Sequence, residues 1–321
     1  GRLWEAGPFL QTLFAQGCYL PSATGEETPF DSATAYLTMA SLTEFTPLSL
    51  GQRRFAELCH RAVPADVLPF LGQAREDVWA GNLPAAEAVL RRVVARHPEV
   101  LEAQVQLGSV LLNQGRTDEF PDWHANLPPA ADAHPEMWFL RGEFAERFQH
   151  DLPAAARCYH EAVRRHPGHR RANYRLAQVL TLLGRAEEGK PFARQAERLS
   201  AIEYALREAV GDPRRIPELV PLLESAGRVH EAYGWCLVAD AAGVGGDELQ
   251  ARRIHLRSRL RPGTPLISES TVSSPRVDLS GLPLPVLPTP HATSENRVAS
   301  QNTARPLAQS PSRKVRFENQ A

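Results

Sequence analysis

The stretch Gly81–Pro98 reads Gly-Asn-Leu-Pro-Ala-Ala-Glu-Ala-Val-Leu-Arg-Arg-Val-Val-Ala-Arg-His-Pro and decides the fold of this chain. It returns at His150–Pro167 as His-Asp-Leu-Pro-Ala-Ala-Ala-Arg-Cys-Tyr-His-Glu-Ala-Val-Arg-Arg-His-Pro. When Leu83–Pro98 is aligned with Leu152–Pro167, 8 of 16 positions are identical and the offset is 69 residues. A phrase that recurs at a fixed interval indicates a repeat architecture, and this offset is close to two units of about 34 residues.

The first copy has the spacing of a helix with one apolar face. Ala86, Leu90 and Val93 follow the i, i+4, i+7 pattern. The second copy carries, at the same positions, Ala155, Tyr159 and Ala162. We expect the alanine where two helices cross closely, because overpacking such a contact costs roughly 1–3 kcal/mol. Pro98 and Pro167 are expected to end the helices, since proline lacks the amide donor and disfavours helix at the preceding residue.

A small residue in mid-helix and a terminal proline at this interval resemble the tetratricopeptide repeat. The resemblance implies a helix–turn–helix unit that buries its apolar stripe only by stacking on its neighbours. We therefore predict an all-α fold: a tetratricopeptide-like helical-hairpin solenoid followed by a Pro/Ser-rich extended tail. The predicted segments are an N-terminal partial repeat with a loop, the tetratricopeptide repeats, a degenerate repeat with a C-terminal cap, a Pro/Ser-rich linker and the start of a further domain, at 1–64, 65–203, 204–261, 262–312 and 313–321.

Several repeats depart from the family pattern. Pro121 and the pair Pro128-Pro129 crowd the second helix of the second repeat, so we expect that helix to be short or distorted. Gly142 falls one position early against the family spacing, whereas Gly108 sits where the family places a small residue. The fourth repeat, residues 169–200, lacks the terminal proline.

Beyond Ile202 the period stretches, and the helical pattern then gives way to a tail. A helix pair is predicted at Pro213–Ser225 and Arg228–Ala242, and a last amphipathic helix at Asp247–Leu260. Residues 262–312 are rich in Pro, Ser and Thr, a composition that does not bury a core. Within them, Asp278–Pro288 is apolar for a linker, and we expect it to lie along the helical surface.

Composition gives little support to partners other than protein. The chain has 321 residues and a net charge of −1, so its overall charge does not indicate nucleic acid or a membrane surface. Its hydrophobic content of 43% suffices for a sizeable core. The four cysteines are far apart and form no CxxC pattern, which favours buried core residues over a disulfide framework. The sequence contains no run of 18 apolar residues, so it predicts no membrane-spanning helix.

The candidate partner-binding site is the concave groove that the resemblance implies. In the family, the first helices line it at the second, fifth, ninth and twelfth or thirteenth positions of each repeat. Besides Ser109 and Phe144, this register selects seven candidate partner-binding residues: Arg75, Asn113, Arg147, Arg171, Tyr174, Arg175 and Gln178. The arginines and Tyr174 can hold an acidic or C-terminal peptide through charge-assisted hydrogen bonds. The alternative is a solvated face whose arginine stems cover apolar surface.

Other chemistries are less well supported by the residues. Three histidines, His160, His166 and His169, lie close in sequence, and His97 and His134 lie at the matching repeat ends. A zinc site needs ligands on one helix face and another elsewhere, whereas a recurring His-Pro turn explains most of these residues, so we predict no metal and no cofactor. No phosphate loop, nucleophile elbow or HExxH motif indicates catalysis. The basic stretch Arg164–Arg175 lacks a wider basic field, so we predict no nucleic-acid partner.

The order of segments suggests a closer resemblance. Helical repeats are followed by Asp-Leu-Ser-Gly-Leu-Pro-Leu-Pro from Asp278, a loose segment, and Val-Arg-Phe-Glu-Asn-Gln-Ala at 315–321. Over residues 200–321 this arrangement resembles the region that precedes FG-GAP (VCBS) propeller repeats and an ASPIC/UnbV domain in large planctomycete-type envelope proteins. The resemblance implies an exported or surface-attached bacterial protein whose calcium-binding blades lie beyond Ala321.

Together these features favour a non-catalytic scaffold that binds a protein or peptide and presents a following domain. Two alternatives stay open. In the first, the helical part is an accessory to an enzyme whose catalytic region lies beyond residue 321. In the second, the chain is a cytoplasmic tetratricopeptide adaptor with a disordered tail. No feature of the sequence predicts the oligomeric state.

Overall fold

The computed structural model describes residues 67–260 and 277–286, and this described part of the chain contains helices but no β-strand. Its α-helices are, in chain order, α1 Leu68–Trp79, α2 Leu83–Arg96, α3 Leu101–Asn113, α4 Glu119–Ala125, α5 Pro135–Phe144, α6 Leu152–Arg165, α7 Arg170–Leu182, α8 Ala186–Gly211, α9 Ile216–Ser225, α10 Val229–Ala241 and α11 Asp247–Arg259. The predicted helical solenoid is confirmed over these residues. The predicted segments 1–64 and 313–321 lie outside them.

Each hairpin turns on one residue in the left-handed region. The turn residues and their φ angles are Gly81 77°, Gly115 69°, His150 54°, Gly184 74° and Gly227 74°. Glycine adopts this conformation without a steric penalty, because it has no Cβ. In the third hairpin, between α5 and α6, His150 occupies the place of glycine, and a side chain in this region costs about 1–2 kcal/mol.

Small residues let the two helices of a hairpin approach closely. A Cβ added at Gly108 would lie 2.5 Å from Cζ2 of Trp123 in α4. A Cβ at Gly142 would lie 2.5 Å from Cε1 of Tyr159 in α6. An aromatic ring therefore packs directly on the helix backbone in both hairpins. Ala155, which was predicted at such a crossing, is fully buried.

The early position of Gly142 has a structural cause. Beyond Phe144, helix α5 continues as a π-helical turn over Ala145–Gln149. A π turn adds one residue to a helix without ending it. Gly108 therefore precedes its turn residue Gly115 by seven positions, while Gly142 precedes His150 by eight. The two glycines thus occupy equivalent places, and the residues before the π turn are shifted by one in register.

The second repeat has the short second helix that its prolines predict. Helix α4 has 7 residues, and a 3₁₀ turn over Pro129–Ala133 follows it. Pro121 is accommodated in the first turn of α4, where the amide group would lack a helical partner anyway. Phe120 and Trp123 still enter the core, so the shortened helix keeps the packing of the array.

Helix α8 is the longest helix of the described residues, with 26 residues. The fourth repeat has no proline at its end, and the helix runs on to Gly211. The segment boundary predicted between 203 and 204 therefore falls inside a continuous helix. The α9–α10 hairpin and α11 then pack around a second apolar cluster, in which Trp235 is fully buried. These three helices occur where the sequence predicts them.

A short segment of the tail packs against the array. We call Val277–Val286 the strap. Leu279 is 1% exposed and belongs to the apolar cluster of α5–α8, with Val277 and Leu282 packed around it. The expectation that the apolar part of the tail lies along the helical surface is confirmed for residues 278–286. Residues 287 and 288 lie outside the described part of the chain.

Candidate interaction surface

The structure brings four of the seven candidate residues together on one helix, α7. Arg171, Tyr174, Arg175 and Gln178 follow the helical period there, and Arg171 and Arg175 contact carboxylates of α5 and of the π turn. The other three candidates lie elsewhere on the array. They are Arg75 on α1, Asn113 at the end of α3 and Arg147 in the π turn.

Phe144, which the sequence register places on the groove, is buried instead. It is 3% exposed, and its ring stacks on that of Phe120 with centroids 4.7 Å apart. The one-residue shift before the π turn explains the error. It places Glu136 and Glu143 on the face of α5 that contacts α7. The early position of Gly142 was the signal in the sequence that could have identified them.

Arg171 lies between these two carboxylates. Its Nη1 is 3.2 Å from Glu136 Oε1, and its Nη2 is 3.5 Å from Glu143 Oε2. Its guanidinium carbon is 4.2 Å from the ring centroid of Phe139, a cation–π geometry. Arg171 is thus held on three sides by α5.

Arg175 joins the candidate residues into a network. Its Nη1 is 3.5 Å from Glu146 Oε1 and donates a hydrogen bond of 3.3 Å to Gln178 Oε1. Gln178 Nε2 donates to the Tyr174 hydroxyl at 2.8 Å, and the Tyr159 hydroxyl donates to Glu146 at 2.6 Å. The arginines of this face therefore already have acidic partners within the chain.

The two carboxylates beside Arg171 differ in their electrostatics. Burial raises the pKa of Glu136, but the charge of His169, its hydrogen bond and the charge of Arg171 outweigh it and lower the pKa to about 2. His169 Nδ1 accepts from the Ala172 amide, so its Nε2–H donates to Glu136 at 2.7 Å. For Glu143, burial dominates over Arg171 and Arg147 and raises the pKa. The surface is consequently close to charge-balanced rather than cationic.

A cavity opens beside these residues, between α7 and α8. Its volume is about 480 Å³. Tyr174 and Gln178 line it from α7, and small residues such as Ala193 and Ala196 line it from α8. Tyr174 is 52% exposed. Two of the candidate residues thus border a recess with apolar walls, which is the type of feature that binding sites use.

Arginines of the basic stretch 164–175 form ion pairs within the chain. Arg164 Nη1 and Arg165 Nη1 lie 3.0 and 2.6 Å from Glu161 carboxylate oxygens, and Arg170 Nε lies 3.1 Å from Glu203. A nucleic-acid site needs cations that are available to phosphates.

Neither a metal centre nor a thiol nucleophile emerges from the described residues. No group of three or more His, Cys, Asp or Glu side chains in residues 67–260 and 277–286 could hold a metal ion. Burial raises the pKa of the Cys158 thiol to about 12 and that of Cys236 to about 11, so both remain protonated at neutral pH. None of the helices in the described residues combines the length and apolarity needed to cross a lipid bilayer.

Comparison with known proteins gives a family match for the helical hairpins. No curated protein matches this chain. Among solved structures, a thermophilic TPR protein from Thermus thermophilus is 19% identical, covering 59% of this chain and 97% of its own, with a TM-score of 0.36. Residues 71–135 and 145–201 match the family model of the tetratricopeptide repeat, so this part of the chain is similar to that repeat in sequence as well as in its helical hairpins.

Proposed function

We propose that this chain is a non-catalytic scaffold that binds a protein segment along α5, α7 and α8. The tetratricopeptide match supports a protein partner. The observation that carries the proposal is the recess between α7 and α8, because it lies beside the candidate residues and has small side chains on its far wall. An apolar side chain of the partner fits between Ala193 and Tyr174, while Gln178 offers hydrogen bonds to its backbone.

The sequence favours an acidic or C-terminal segment as the partner. Such a ligand has to compete with the carboxylates of Glu136, Glu143 and Glu146 for Arg171 and Arg175. Glu143 is the carboxylate most easily displaced, since burial already disfavours its charged form. The recess contributes apolar contact in either case, so it supports binding whether or not the ligand is acidic.

Selection from a random peptide library on the full chain tests this proposal. The enriched peptides are expected to lose at least tenfold in affinity when Tyr174→Ala removes the recess rim or Ala193→Leu fills the recess. Tyr204→Ala is the matched control, because Tyr204 is another exposed tyrosine, on α8, that does not line the recess. Failure to enrich any peptide, or equal binding by all variants, would contradict the proposal.

The same scaffold is proposed to present a further domain beyond residue 321. The support is the order of segments after residue 200, which resembles the region before FG-GAP and ASPIC/UnbV domains. This resemblance also favours an exported location. Sequencing the parent gene distinguishes the possibilities: Asp-x-Asp-Gly repeats downstream support a propeller, and a catalytic motif there would instead support an accessory role for an enzyme.

A further inference from the structure

The strap has a defined local conformation that is held by its own hydrogen bonds. The Ser280 amide donates to the Asp278 carboxylate at 2.8 Å, and the Leu282 amide donates to the Leu279 carbonyl at 3.0 Å. These bonds form a turn at Ser280-Gly281, and both turn residues are exposed. The turn therefore directs Leu279 into the protein while its polar tip stays in solvent.

The strap lies against α6 and runs antiparallel to it. At its start, Asp278 is close enough to Arg157 and His160, near the middle of α6, for their charges to lower the pKa of its carboxyl after the larger effect of the Ser280 hydrogen bonds. At its end, the Val286 carbonyl accepts a hydrogen bond of 2.7 Å from Gln149 Nε2, just before α6 begins.

Leu279 is the anchor of this contact. Its side chain is 1% exposed and belongs to the cluster that contains Ala154, Ala156 and Phe192. The ring of His160 lies edge-on to that of Phe192, at a centroid distance of 6.4 Å. Full burial of a leucine contributes about 1.5–3 kcal/mol. By contrast, Leu284 is 51% exposed.

The residues of α6 explain why the strap lies here. Ala156 and His160 are buried, and His160 directly follows Tyr159, whose ring packs on Gly142. Ala156 is a small residue of the apolar cluster that Leu279 joins, and the imidazole of His160 packs edge-on against Phe192 of the same cluster. Long charged side chains at these two positions would fill the same volume and carry water with them.

We propose that the outer face of α6 is a docking site for an extended, leucine-anchored segment, and that the strap is its intramolecular occupant. The anchor is Leu279, and the Gln149–Val286 hydrogen bond holds the C-terminal end of the strap. A tethered ligand has an effective concentration in the millimolar range. The strap therefore keeps the site filled.

Hydrogen exchange on the full chain tests the docking directly. In the wild type, the amides of Ser280 and Leu282 are expected to exchange at least tenfold more slowly than in Leu279→Asp. Leu284→Asp is the matched control, because it places the same charge on an exposed leucine of the same segment, and it is expected to leave this protection unchanged. Fast exchange of both amides in the wild type would overturn the proposal without reference to any variant.

A labelled peptide that corresponds to residues 277–286 tests the site in trans. It is expected to bind the full-length Leu279→Asp variant at least tenfold more tightly than the wild type, whose site is filled by its own strap. The same peptide carrying Leu279→Asp is expected to bind neither protein. Equal binding to both proteins, or no binding to the folded Leu279→Asp variant, would show that α6 does not recognise the segment. Circular dichroism establishes that the variant is folded.

Discussion

Helices α2 and α6 carry nearly the same sequence phrase and yet have different surroundings. Their inner faces match, since Ala86 and Ala155 are both fully buried and Leu90 and Tyr159 follow at the same spacing. Their outer faces differ. Of the 14 residues in each helix, 4 are buried in α2 and 9 in α6. The repeat thus specifies how hairpins pack, while the outer face is free to acquire a separate role.

The difference between the outer faces of α2 and α6 can be traced to a few residues. In α2, Arg91 Nε lies 2.6 Å from Glu87, and its Nη2 lies 2.5 Å from Glu119 of the next hairpin. The corresponding positions of α6 are Ala156 and His160. Charged side chains paired with the next hairpin occupy these positions on α2, whereas on α6 the same positions hold a buried alanine and a buried histidine. The same position in the repeat therefore carries charged side chains on α2 and buried, less polar side chains on α6.

The largest expected effect concerns the shared inner face. Ala155→Leu should lower the free energy of unfolding by roughly 1–3 kcal/mol, because the crossing with α5 has no room for a larger side chain. Ala95→Leu, on the exposed side of α2, should change it by less than about 0.5 kcal/mol. Urea denaturation of the full chain measures both. Equal effects would contradict the assignment of inner and outer faces.

Exchanging the outer faces should have an effect no larger than this. Ala156→Glu combined with His160→Arg gives α6 the residues of α2, and we expect the strap to detach with a loss of no more than about 3 kcal/mol, the contribution of one buried leucine. Hydrogen exchange at Leu282 reports detachment.

The reciprocal exchange is the control for that double variant. Glu87→Ala combined with Arg91→His should leave exchange at Leu282 unchanged. Retention of the strap after Ala156→Glu and His160→Arg would mean that these positions do not distinguish the two helices.

The smallest expected change in stability concerns the turn that precedes each copy of the repeated sequence, before α2 and before α6. His150→Gly should stabilise the protein by about 1 kcal/mol, because it relieves a left-handed conformation that glycine adopts freely. Gly81→Ala, at the equivalent turn before α2, should destabilise by a similar amount. Thermal unfolding of both variants measures the pair. A destabilised His150→Gly would indicate that the histidine side chain makes a contact that outweighs the strain.

The sequence predicts the array well because one periodic phrase determines its inner contacts. The alanine crossings, the ends of α2 and α6 before Pro98 and Pro167 and the short α4 all follow from residues that act locally. The candidate surface was predicted less well. Arg171 and Tyr174 do lie together, but Glu143 was missed because the π turn displaces the register of α5 by one residue. A periodic sequence pattern does not predict the extra residue of a π turn. The early position of Gly142 was the one sign of it in the sequence.

Helix α8 has a mechanical consequence for the whole array. One end supplies Phe192 to the apolar cluster around α6, and the other supplies Leu206 to the cluster around α10. Its 26 residues form one continuous helix of at most about 39 Å, with Pro191 in its second turn. Unfolding of either end of α8 weakens a helix that also contributes to the apolar cluster at the other end. The turn that separates most neighbouring repeats is absent between these two clusters. Tension applied across the chain should therefore rupture both clusters in one step instead of peeling the hairpins away in turn.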